Sequence, residues 1–234
     1  MFPFFLFQDP TTTIADTDTG EVVPEEVSFS LIEVIFSGGP IGVVIAVILL
    51  LLAVMAVYIL IERYLTIKRA GDLDENFMAQ IRGFVQTGDV ESALALCRQT
   101  NTPVARLVAK GLQRIGKPLE DINAAVENVG NLEIFQLEKR LSTLATISGA
   151  APMIGFFGTV TGMILSFMNM AGGDVSTEAL AGGIYQALIT TAFGLFVGII
   201  AFIGYNSLIA SMGRVIFKME AATVEFMDLL QEPA

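Results

Sequence analysis

The chain has 234 residues, of which 53% are hydrophobic and 16% charged, and it carries a net charge of -11. Its mean hydropathy of +0.67 is too high for a soluble domain, while its charge content is too high for a chain wholly in lipid, so it must divide between membrane and water. The acidic balance disfavours a nucleic-acid partner, the absence of histidine removes zinc hydrolases and Ser-His triads, and a single cysteine allows no intrachain disulfide.

The opening MFPFFLFQDP is apolar but lacks a basic flank and a small-residue cleavage site, so it is expected to be retained. Residues 1–39 carry only acidic charges and are assigned to the outer side, with a possible interfacial amphipathic helix over Phe29, Ile32, Ile35 and Phe36. Gly38, Gly39 and Pro40 end that segment, and the proline suits the first turn of the next helix.

The first spanning helix is predicted over 40–61, an uncharged run of Leu, Ile and Val on every face. Residues 62–140 have the composition of a soluble helical domain without strand signals, with Asp89, Thr102 and Asp121 near helix starts and Pro103 and Pro118 in first turns. No breaker separates Ile134 from the next apolar run, so one continuous helix is expected to leave this domain and enter the membrane.

The second and third spans are predicted over 141–170 and 182–212, joined by an outer turn at 171–181, and the chain ends in a helix over 213–234. Neither span contains Asp, Glu, Lys or Arg, and at about 45 Å each overshoots a hydrocarbon layer about 30 Å thick. All 13 basic residues fall in segments on one side of the three spans, which the positive-inside rule makes cytoplasmic. The fold class is thus an all-α integral membrane protein with three transmembrane helices and long cytoplasmic helical extensions.

Small and polar residues line one face of each later span. Ser148, Pro152, Gly155, Thr159, Gly162 and Ser166 recur at steps of four and three, as do Ala187, Thr191, Gly194, Gly198, Ala201 and Tyr205. Two readings stand level on these residues: close helix packing in lipid, or a face turned to a central channel in which Thr159 and Thr191 present hydroxyls. With no ionisable side chain among Asp, Glu, Lys or Arg in either helix, a carboxylate would have to come from another chain.

The strings APMIGFFGTVTGMILSF and ALITTAFGLFVGIIAFIGYN resemble the signature segments of the ExbB/TolQ/MotA family, most closely ExbB, and the resemblance extends to IERYLTIKRA and covers all but the first 30 residues or so. It implies a homopentameric ring enclosing a single-span partner similar to ExbD, whose membrane aspartate carries the proton. It also implies an inner-membrane motor driven by the proton motive force and acting through a TonB-like protein, with no cofactor beyond the transported proton.

By position, Thr159 in FFGTV and Thr191 in ALITT match the family's channel threonines, with Thr190 a weaker candidate. Gln186 stands where many members have a glutamate, so a proton-binding role there is in doubt, and Glu178 near the outer mouth is the compensating candidate beside the plainer reading of a solvated loop carboxylate. The alternatives are a TolQ-like or other motor stator subunit and a non-conducting scaffold for a single-span partner. A membrane enzyme finds no support in any nucleophile or phosphate-binding motif.

Cys97 reads as a buried structural thiol and Glu62 with Arg63 as interfacial anchors. Tyr58, Tyr64 and Tyr205 suit the headgroup region.

Overall fold

A computed structural model of the chain describes residues 39–74, 76–172 and 177–231, and all regular structure among them is helical. The expected interfacial helix near the N-terminus and the side chain of Glu178 lie outside the described residues.

Helix α1 (Gly39–Ala70) starts with Pro40 in its first turn and ends with Lys68 and Arg69 in its last, where cations complement the helix dipole. It is apolar all round over its first two-thirds, yet only one stripe is buried: Ile45, Leu49, Ala56, Ile59, Arg63 and Ile67. Val44, Leu51, Val54 and Ile61 lie exposed on the other faces, as expected of a helix bordered by lipid.

Four shorter helices follow: α2 (Phe77–Gln86), α3 (Val90–Thr100), α4 (Pro103–Leu112) and α5 (Leu119–Glu138). The Asp89 carboxylate caps α3 by accepting from the Ser92 amide at 3.0 Å, and the Thr102 hydroxyl caps α4 by accepting from Ala105 at 3.4 Å with Pro103 in the first turn. Asp121 is not a cap; it lies within the first turn of α5, where Pro118 takes the cap position.

The last two helices are α6 (Leu141–Ala171) and α7 (Thr177–Gln231). At 55 residues α7 is about 80 Å long, more than twice the hydrocarbon thickness. Its distal half buries Val215, Met219, Ala222, Phe226 and Leu229 at helical spacing, and α2, α4 and α5 pack against α7. Helices within 41–70, 119–171 and 180–231 are each long and apolar enough to cross a membrane, so the chain is an all-helical, multi-pass membrane protein.

Two sequence expectations need correction. The α5 and α6 segments are not one helix: Arg140 adopts a left-handed conformation at φ 66° and Lys139 an extended one, which breaks the helix between them. Sequence scanning finds no Gly or Pro there because the bend is held by side chains. Arg140 pairs with Glu62 of α1 and lies 6.0 Å from the centre of the Tyr58 ring. The outer turn is also shorter than 171–181, since α7 begins at Thr177 and passes through Gly182 and Gly183 without interruption. Gly183 is there for proximity: a β-carbon on it would collide with the Ser166 hydroxyl.

The joint between the cytoplasmic helices and α7 has a similar tight point. Phe226 is fully buried against Gly111 of α4, where a β-carbon would overlap the ring. Gly111→Ala is therefore expected to destabilise the domain by ~1–3 kcal/mol despite the better helix propensity of alanine. Thermal unfolding of Gly111→Ala, Phe226→Leu and the double variant checks this, since the smaller side chain should recover part of the loss.

Cys97, 2% exposed on α3, is a buried thiol as expected, and burial pushes its pKa from 9.0 up to about 11. A raised folded-state pKa favours the folded thiol at lower pH. That contribution is complete below about pH 9 and is lost as pH rises through 11. Maleimide labelling at pH 8 should thus be slower by two orders of magnitude or more, roughly, than in the urea-unfolded chain, and Cys97→Ala should flatten the alkaline fall in stability.

Candidate functional site

The seam between α6 and α7 is built from residues too small to keep two backbones apart. A β-carbon on Gly194 would lie 2.7 Å from the Ala151 carbonyl oxygen and 2.9 Å from the Gly155 α-carbon. At Gly198 it would lie 2.5 Å from the Pro152 ring, and at Gly162 2.9 Å from the Ala187 methyl. Ala201, with no exposed surface, continues the same stripe. The two small-residue faces therefore meet each other within one chain, so close packing accounts for Pro152, Gly155, Gly162, Ala187, Gly194 and Gly198.

The hydroxyls on these stripes fall into two groups. Ser148 donates back to the Ala145 carbonyl at 2.7 Å, Ser166 to Gly162 at 2.9 Å and Thr190 to Gln186 at 3.0 Å, so each is bonded to its own helix. Thr191 behaves differently. It reaches across the seam to the Gly155 carbonyl at 2.8 Å and stands 3.3 Å from the Thr159 hydroxyl, which itself donates to Phe156 at 2.6 Å.

The approach of the glycine stripe creates this pair, because side chains at 155 and 194 would hold the threonines out of reach. A hydroxyl has one proton and two lone pairs, and each threonine is half-buried, so acceptor capacity remains at the edge of the seam. Such a pair can orient or pass a proton or hydrogen-bond to an incoming carboxylate. It cannot store charge near neutral pH, and 141–171 and 182–212 contain no Asp, Glu, Lys or Arg.

Gln186 is not part of the pair. Its amide nitrogen packs over Gly42 of α1, 2.7 Å from where a β-carbon would stand, so it joins the first span to the seam. Sequence reasoning missed Gly42 and also Gly158, whose β-carbon would meet the Thr190 methyl at 2.6 Å. The signal for Gly158 was present: Gly155, Gly158 and Gly162 at spacings of three and four share a helix face. Gly42 had no comparable signal, because α1 shows no stripe of small residues.

The model of the MotA/TolQ/ExbB proton channel family matches residues 99–221, more than half of the chain and including the whole of α6. The chain is 39% identical to the Tol-Pal system protein TolQ of Haemophilus influenzae over 112 residues, covering 47% of this chain and 45% of that protein. It is 37% identical to TolQ of Pseudomonas aeruginosa over 113 residues, 48% of this chain and 49% of that one. With the biopolymer transport protein ExbB of Neisseria meningitidis it shares 29% identity over 188 residues, 74% of this chain and 84% of the relative. The matched stretch thus spans under half the length of the TolQ relatives.

Proposed function

The chain belongs to the MotA/TolQ/ExbB proton channel family, and from that membership we propose that it is the proton-channel subunit of an inner-membrane motor of the ExbB-ExbD type, energising TonB-dependent transport across an outer membrane. The observation that carries the reading is the Thr159–Thr191 hydroxyl pair at 3.3 Å between two segments, 141–171 and 182–212, that contain no Asp or Glu. The proton-carrying acid then comes from a single-span partner similar to ExbD, and the threonines form the wall against which it works.

In this reading the chain forms a homo-oligomeric ring, a pentamer by resemblance, with a periplasmic N-terminus and cytoplasmic basic segments. Met153, Phe156, Phe157, Leu188 and Phe202, each more than half exposed, are the surfaces that lipid, neighbouring copies and the partner cover. Ser148, Ser166, Thr190 and Gln186 support the wall and do not exchange protons themselves. A TolQ-like role is the second reading, favoured by the higher identity to TolQ over its shorter stretch, while the greater coverage of ExbB favours the first.

The test is proton flux into vesicles holding the full chain with its single-span partner. Flux that disappears when the partner's membrane carboxylate is replaced by its amide supports the channel reading. Flux that persists without that carboxylate removes the partner's acid from the proton path, and flux absent with the intact pair leaves a non-conducting scaffold.

A further inference from the structure

One turn beyond the apolar run of α1, a cavity of about 570 Å³ opens between that helix and α4 and α5. Four cations line it, Arg63, Arg69, Arg106 and Lys139, against two carboxylates, Glu62 and Glu133. Both carboxylates are already engaged. Glu133 accepts two bonds of 2.6 Å from the Arg106 guanidinium, and Glu62 pairs with Arg140 and, at 3.3 Å, with Arg63.

The remaining positive charge has no paired carboxylate among the described residues. Arg63 is only 5% exposed; one terminal nitrogen donates to the Gln136 carbonyl at 3.1 Å, in the last turn of α5, but its Nε has no acceptor. A buried guanidinium N–H without an acceptor costs about 1–3 kcal/mol or more, so it marks a place where an acceptor belongs. Arg69 and Lys139 have no hydrogen-bond or ion-pair partner among the described residues, and Thr66 adds a hydroxyl to the wall.

We propose that this cavity binds a phosphate-class anion, held by the Arg63 guanidinium with Arg69 and Lys139. A phosphate group offers several acceptor oxygens around one negative centre, which suits a guanidinium edge and two mobile cations. The volume admits a phosphodiester with its glycerol as well as a small soluble phosphate ester. The position, just past Ile61 and next to Tyr58 and Glu62, is where a helix leaving the hydrocarbon meets the headgroups. A lipid headgroup and a soluble phosphate therefore share the required chemistry.

Calorimetric titration of the full chain in an uncharged detergent distinguishes them, with dihexanoyl phosphatidylglycerol, dihexanoyl phosphatidylcholine and inorganic phosphate as probes. The wild type is expected to bind an anionic probe saturably at one site per chain and at least about tenfold more tightly than the phosphatidylcholine. Phosphatidylglycerol binding far above inorganic phosphate identifies a lipid site, and the reverse a soluble ligand. The double variant Arg69→Gln/Lys139→Gln should lose about tenfold or more in affinity. The charge-matched Lys68→Gln/Arg214→Gln, from the neighbouring cleft between α1 and α7, should stay within about twofold. Equal losses in the two double variants mean a general surface charge effect and overturn the proposal. So does failure of the anionic probes to saturate, as happens if carboxylates of a neighbouring copy already fill the cavity.

Discussion

Gly194→Val is expected to disrupt the α6–α7 hairpin, with a loss of ~2–4 kcal/mol in stability and a failure to assemble. The first atoms that the new side chain meets are backbone, the Ala151 carbonyl at 2.7 Å and the Gly155 α-carbon at 2.9 Å. Neither can rotate away as a flexible side chain would, so the helix axes must separate. Separation breaks the Thr191 bond to the Gly155 carbonyl, less than one turn away, and loosens every small-residue contact along the seam. In lipid no hydrophobic force presses the helices back together, so lost van der Waals contact is not recovered. Gly149→Val is the control, because its β-carbon meets nothing within 4 Å. Protease resistance and oligomer yield in nanodiscs read the result, and equal damage from the two substitutions would contradict the seam argument.

The same seam explains why the fold was more legible in the sequence than the site was. Length and hydropathy locate three spans without ambiguity, since about 20 uncharged residues admit little else. Spacing also placed both small-residue stripes, but a stripe says only that something comes close. Whether Gly155 meets Gly194 of the same chain or a second copy depends on the hairpin register, which periodicity does not encode. The two failures have local causes. At Arg140 a non-glycine residue takes the left-handed region, which costs roughly 1–2 kcal/mol and is offset by contacts with Glu62 and Tyr58, about 80 residues earlier in the chain. At Gly183 glycine serves a tight contact rather than a turn, and a single sequence does not separate those uses.

Thr191→Val tests function with little disturbance of packing. Valine has nearly the shape of threonine, so the seam should close around it at a cost of about 1 kcal/mol for the lost interhelical bond. Partner-dependent proton flux should fall by roughly tenfold or more, as expected when a positioned hydroxyl is removed from a proton path, and Thr191→Ser should restore most of it. Thr159→Val provides the second half of the argument. If the hydroxyls act as a unit, as their 3.3 Å separation implies, the double variant should conduct little less than the worse single one. Fully multiplicative losses would mean two independent contributions, and unchanged flux in Thr191→Val would assign that hydroxyl to packing alone. The stability measurement separates these outcomes: Gly194→Val should lose fold and flux together, whereas Thr191→Val should lose flux while keeping its fold.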